Sequence, residues 1–109
     1  MNINDILEKG KTLDIYEKRS CTDQYAELVF ENRQKDKWDN ILTSTLGPAV
    51  KPAGKKPSAE DQELAKSYGG IYGNQVLYRK EFDGNIIIAM LWPWQDGIHT
   101  TLKLALLDK

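Results

Sequence analysis

The sequence predicts an α+β fold in which N-terminal helices pack on one face of a C-terminal three-stranded antiparallel β-meander. In the first two thirds of the chain, apolar residues recur at helical spacing, and the periodic segments end at glycine or proline. In the last third, three apolar runs of strand length are joined by short loops that contain Asp-Gly pairs. The length of 109 residues predicts a single domain over 1–109.

Three segments of the first two thirds are predicted to be helical. Apolar spacing favours one helix over 3–18 and a second over 36–46, which ends at Gly47 because a Gly-Pro pair stops a helix. A shorter helix begins at Ser58, which forms a capping box with Asp61. These helices are expected to cover the apolar face of the sheet.

The segment 22–31 fits two structures. Cys21 and Leu28 lie seven positions apart, as on one face of a helix, whereas Leu28 and Phe30 alternate as on one face of a strand. A helix is the favoured interpretation, and a fourth strand over 24–31 is the alternative.

The C-terminal third is predicted to form antiparallel strands over 75–82, 86–94 and 98–107. A two-residue turn at 83–84 would set Ile86 beside Glu81, whereas a three-residue loop sets Ile86 opposite Phe82. We adopt the three-residue loop because it produces one consistently apolar face, with Met90 opposite Leu102 in the second hairpin.

This register predicts a second sheet face on which apolar and polar side chains mix. The candidate binding residues on it are Leu77, Arg79, Leu91, His99, Thr101 and Lys103. Apolar centres with polar surroundings are typical of protein interfaces, provided that no helix covers the face. The sequence therefore favours a non-enzymatic protein-interaction module that binds another protein or a second copy of itself.

A second hypothesis places a small-ligand site or an active site at one hairpin end. Trp92, Trp94, Asp96 and His99 cluster there, and together they offer aromatic platforms, a carboxylate and a titratable ring. The simpler interpretation buries both indoles and uses Asp96 in the turn. Because a pair of Cys21 with His99 has no supporting pattern, no catalytic residue is predicted and the balance is against an enzyme.

A third hypothesis assigns a phosphate or nucleic-acid contact to the basic loop 51–56, through Lys51, Lys55 and Lys56. The loop lacks the spacing of a phosphate-binding loop, and the formal net charge of −1 argues against a nucleic-acid partner.

The composition argues against a membrane span, a metal centre and a cofactor. No stretch approaches the roughly 20 apolar residues that a spanning helix needs. One cysteine and one histidine supply few metal ligands. The lone cysteine and the lack of a secretory pattern predict a cytoplasmic location.

Overall fold

The computed structural model describes residues 2–108 and has an α+β fold built on a five-stranded antiparallel sheet. The elements are α1 (Ile3–Lys9), β1 (Glu17–Cys21), β2 (Tyr25–Glu31), α2 (Lys35–Leu46), α3 (Ala59–Ala65), β3 (Val76–Phe82), β4 (Asn85–Pro93) and β5 (His99–Asp108). The strand order is β1-β2-β5-β4-β3. The α+β class and the antiparallel sheet are confirmed. The predicted three-stranded meander is matched only in part: β3, β4 and β5 pair in sequence order, but β1 and β2, which lie among the helices, extend the sheet to five strands.

The first predicted helix is much shorter than its apolar spacing suggests. It ends at Lys9 instead of continuing to residue 18, and Glu17–Cys21 form the edge strand β1. Gly10 caps the helix, and the Trp38 ring lies so close to it that a Cβ at this position would overlap the ring. The chain therefore leaves the helix direction where Trp38 packs.

Strand β2 replaces the helix favoured for 22–31. It pairs along its whole length with β5, with Leu28 opposite Leu102 and Glu31 opposite His99. The alternative of a fourth strand over 24–31 is therefore correct. Ladder pairing with β5 decides the structure of a segment whose local pattern fits both helix and strand.

The other two predicted helices are confirmed, and both are defined by local signals. α2 ends at Gly47, which has a φ of 88°. At the start of α3, the Ser58 hydroxyl accepts a hydrogen bond from the Asp61 backbone N–H. The Asp61 carboxylate in turn accepts one from the Ser58 backbone N–H at 3.0 Å, which completes the predicted capping box.

The register of both C-terminal hairpins differs by one residue from the prediction. β3 and β4 join through a two-residue turn in which Asp83 and Gly84 have φ values of 47° and 79°, so Glu81 lies opposite Ile86. Positive φ at both positions is the geometry that an Asp-Gly pair favours in a tight hairpin. In the second hairpin, Leu91 rather than Met90 lies opposite Leu102.

Helices cover both faces of the sheet, and the one-residue difference decides which side chains each face carries. On the first face, α1 and α2 cover buried residues that include Leu28, Phe30, Tyr78, Ala89, Leu91 and Leu102. On the second face, Ala65 of α3 packs in a cluster with Leu77, Ile88, Met90 and Ala105. The prediction that all helices lie on one face is therefore wrong for α3.

Candidate functional site

The second face is divided into a part that the chain around α3 covers and a part that stays open. The Lys103 ammonium lies in the covered part, where its Nζ donates a hydrogen bond to the Tyr68 carbonyl at 2.8 Å. The same Nζ lies 3.4 Å from the centroid of the Trp92 ring, against which Gly69 packs. The turn after α3 is therefore seated on Trp92.

Three of the predicted binding residues lie in this covered part. Leu77 is fully buried there. Arg79 forms ion pairs with Glu60 of α3 and with Glu81. Together with Lys103, they contact the protein's own helix and turn, and this part of the face is not free for a partner.

Leu91, which the predicted register placed among these residues, lies on the first face. It is buried in the core cluster that α1 and α2 cover. The cause is the tight Asp83-Gly84 turn, which shifts the register by one residue and so places every side chain of β4 on the face opposite to the predicted one, relative to β3.

The open part ends in a cluster of three rings and one guanidinium group. We call this cluster the aromatic edge; it is composed of Tyr16, Arg19, Trp94 and His99. The His99 ring centroid lies 4.2 Å from that of Tyr16 and 4.9 Å from that of Trp94. Tyr16 and Trp94 meet nearly perpendicular, with centroids 6.5 Å apart. The Arg19 guanidinium lies 5.4 Å from the Trp94 ring centroid, within the range of a cation–π contact.

Hydrogen bonds from the sheet hold these rings in place. The Trp94 indole Nε1 donates to the buried Thr101 hydroxyl at 2.8 Å. The Tyr16 backbone N–H donates to the Val29 carbonyl at 2.8 Å, so Tyr16 is anchored just before β1 begins. The predicted residues His99 and Thr101 therefore belong to one cluster, which also includes Tyr16.

Asp96 joins this cluster through the β4–β5 turn. Its Oδ1 accepts hydrogen bonds from the backbone N–H groups of Ile98 and His99, at 2.8 and 3.0 Å. Its Oδ2 lies 2.6 Å from His99 Nδ1. The bond to His99, with help from the backbone donors, lowers the pKa of Asp96 to about 2. Asp96 thus orients the His99 ring and also shapes the turn.

The aromatic edge is open to solvent on its outer side. The Tyr16 residue is 59% exposed, and Ile98, next to His99 in the turn, is 53% exposed. An exposed aromatic side chain beside ordered rings is a feature that interaction sites use.

The hairpin end does not gather all four residues of the ligand-site hypothesis. Trp94, Asp96 and His99 are together, but Trp92 lies beneath the turn after α3. A cavity of about 250 Å³ beside this hairpin is lined by none of the four, its lining being Glu31, Asn32, Arg33, Gly97 and Ile98.

The basic loop holds its first lysine inside the protein. Lys51 is fully buried, and its Nζ donates hydrogen bonds to the carbonyls of Gly73 at 2.8 Å and Gln75 at 2.5 Å. Burial lowers the pKa of its ammonium. Lys55 and Lys56 are exposed. Lys51 therefore ties this loop to the segment that precedes β3.

Sequence reasoning missed Tyr16 and Arg19. Tyr16 lay inside the predicted helix over 3–18, and Arg19 followed directly after it. β1 is an exposed edge strand of mostly charged residues, and such a strand has no apolar alternation to detect. The available signal was Gly10, because a glycine weakens any helix that continues through it.

The fold and this surface define a small α+β protein with helices on both faces of an antiparallel sheet and an aromatic patch at one end. No protein-family model, curated protein or solved structure matches the chain. Within residues 2–108, the structure contains no helix whose length and apolar character would let it cross a membrane. The same residues contain no group of three or more His, Cys, Asp or Glu side chains that could hold a metal ion.

Proposed function

We propose that this protein is a non-enzymatic interaction module whose aromatic edge binds the same edge of a second copy of the chain. The observation that carries the proposal is the exposed Tyr16 ring, which is tilted against the His99 ring and in contact with Trp94. Tyrosine, tryptophan and arginine are the residues most enriched at the energetic centres of protein interfaces.

The rings are held in one arrangement before any partner arrives, which favours binding. Trp94 is held by Thr101, and His99 is held by Asp96. Side chains that are already ordered lose little conformational entropy when a partner docks on them.

Charges around the aromatic edge support a second copy as the partner. Arg19 pairs with Glu17 at 2.5 Å, and Arg33 pairs with Asp14 at 2.8 Å and with Glu31 at 3.2 Å. A surface that carries both signs can be complementary to itself across a two-fold axis, whereas a surface of one sign repels its copy. The formal net charge of −1 adds little long-range repulsion between copies.

The proposed contact is made by side chains and does not extend the sheet. β1 is irregular, because its pairing with β2 shifts register between Lys18 and Ser20. Bulges and charged side chains on an edge strand disfavour continuous pairing with another strand. The exposed rings beside β1 are therefore the proposed contact rather than its backbone.

Sedimentation equilibrium over a wide range of protein concentration tests the proposal. We expect the wild type to form dimers and the variant Tyr16→Glu to stay monomeric, because a carboxylate would be buried at the contact. Tyr72→Glu is the matched control, since Tyr72 is 60% exposed and lies outside the aromatic edge.

Two results would overturn the proposal. One is a wild type that remains a monomer at every concentration. The other is equal loss of dimer in both variants, which would place the contact elsewhere. Circular dichroism of both variants verifies that each is folded.

A further inference from the structure

A cavity of about 450 Å³ lies between α1 and β1, on the first face of the sheet. Its apolar lining is formed by Leu7, Ile15, Leu28 and Trp38. The rest of the lining is polar or charged and consists of Asn4, Glu8, Lys11, Lys18 and Cys21. The volume lies in the range of small-molecule sites, and the lining offers both apolar and polar contacts. It lies on the opposite side of the sheet from the aromatic edge.

The cavity exists because α1 stops before it reaches β1. The Trp38 ring packs against Gly10, and the chain then crosses to β1 without further helix. A groove therefore remains between the end of α1 and β1. Its accessible apolar wall is formed by Leu7, which is half-buried, and Ile15, which is 41% exposed, whereas Leu28 and Trp38 lie buried at its base. The gap is a consequence of close packing at Gly10.

The rim of the cavity carries an unbalanced positive charge. Lys11 and Glu8 both line it and pair with each other at 2.5 Å. Lys18 lies opposite Leu28 in the β1–β2 register, so its side chain is on the same face as the cavity. Lys18 has no ion-pair partner in the part of the chain that the structure describes.

We propose that this cavity binds an apolar molecule with a single carboxylate, such as a medium-chain fatty acid. The carboxylate lies at Lys18, and the apolar body packs against Leu7 and Ile15, above the buried Leu28 and Trp38. An accessible apolar wall with one unpaired cationic group at the rim matches this ligand in both burial and charge. A neutral alcohol of the same length lacks the group that Lys18 recognises.

Cys21 provides a local reporter of occupancy. It lines the cavity, it is exposed, and it is the only cysteine in the chain. With octanoate as the probe, we expect saturable protection of the Cys21 thiol from alkylation by iodoacetamide. Octanol at the same concentration is expected to protect much less. A urea-unfolded sample, in which octanoate should not change the rate, controls for effects on the reagent.

Charge reversal at the mouth tests the assigned contact. Lys18→Glu is expected to weaken octanoate binding about tenfold or more, because it replaces a charge-assisted contact with repulsion. Lys37→Glu is the matched control, since Lys37 is exposed and does not line the cavity. Lys18→Gln, which removes the charge without reversing it, is expected to lie between the wild type and Lys18→Glu.

Any of three outcomes overturns this inference: no protection of Cys21, equal protection by octanol, or equal weakening by Lys18→Glu and Lys37→Glu. Tyr16→Glu is expected to keep octanoate binding because Tyr16 does not line the cavity. The ligand site and the proposed dimer can therefore fail independently.

Discussion

The Lys103 ammonium lies 3.4 Å from the centroid of the Trp92 ring and connects the centre of the sheet to the turn that follows α3. Gly69, in that turn, packs against the edge of the same ring: a Cβ there would overlap the Trp92 ring and lie 3.2 Å from the Lys103 Nζ. The cation and the backbone of the turn therefore both contact Trp92. This arrangement closes one part of the second face and leaves the aromatic edge open.

Gly69→Ala should destabilise the protein by about 2 kcal/mol or more, because the new Cβ meets Trp92 and the residue has a φ of 101°. Gly54→Ala is the control: Gly54 has a φ of 85°, but a Cβ added there would have nothing within 4 Å. The control should cost only about 1 kcal/mol. Urea unfolding measures both, and equal costs would contradict the close approach of Gly69 to Trp92.

Tyr78→Phe should destabilise the protein by about 1 to 2 kcal/mol, because the Tyr78 hydroxyl donates a hydrogen bond to the Asp39 carboxylate. Tyr72→Phe should have no measurable effect, since that ring is exposed.

Burial, with the bond to Asp39, raises the pKa of Tyr78. The folded pKa therefore exceeds the unfolded value, so this contribution to stability is complete below about pH 10 and is lost progressively as the pH rises from there toward the folded pKa. Identical unfolding curves for the wild type and Tyr78→Phe would show that the bond contributes nothing.

Asp96 should make the stability of the protein depend on pH in the acid range. Its folded pKa of about 2 lies below its ordinary value of 3.8, so its charged form is favoured in the folded state. The stabilisation is complete above pH 3.8 and is lost as the pH falls through about 2. Asp96→Asn keeps an acceptor for the turn but removes the charge beside His99.

Thermal unfolding of the wild type and Asp96→Asn across this pH range measures that difference, which should shrink as the pH falls. Carbon-13 NMR of the Asp96 carboxyl group should give a midpoint near 2. A midpoint near 4, with parallel stability profiles for both proteins, would show that the contact with His99 is not made in solution.

Leu91→Glu should unfold the protein or cost more than about 3 kcal/mol, because it places a carboxylate in the core beneath α2. Val50→Glu is the control at an exposed apolar residue and should leave stability nearly unchanged. Circular dichroism and urea unfolding measure the difference. A stable, folded Leu91→Glu would support the register in which Leu91 faces outward.

The helices illustrate what local signals can determine. The capping box of Ser58 with Asp61 and the stop at Gly47 are set by residues within one turn of the helix end, and both were predictable. The edge strand β1 was not predictable in the same way. Its residues are charged and exposed, and only pairing with β2 makes them a strand.

The aromatic edge depends on contacts between distant parts of the chain. Trp94, Asp96 and His99 are neighbours in sequence, and their cluster was evident from it. Tyr16 and Arg19 join them only because β1 pairs with β2, and β2 pairs with β5. No local pattern in residues 16–19 indicates that contact.

By itself, the sequence determined the antiparallel C-terminal strands, the helix that ends at Gly47 and the helix that begins at Ser58. It offered the two-residue turn at Asp83-Gly84 only as the alternative to the loop that was adopted. The apolar pattern left open which side of β4 faces which helix, and the folded structure decided it. The physical reason is that β4 is buried on both sides, so its apolar residues do not alternate and every register buries them equally well. The register of β4 is therefore fixed by the tight turn, in which Asp83 and Gly84 have positive φ, and by the packing of Trp92 under the turn that follows α3.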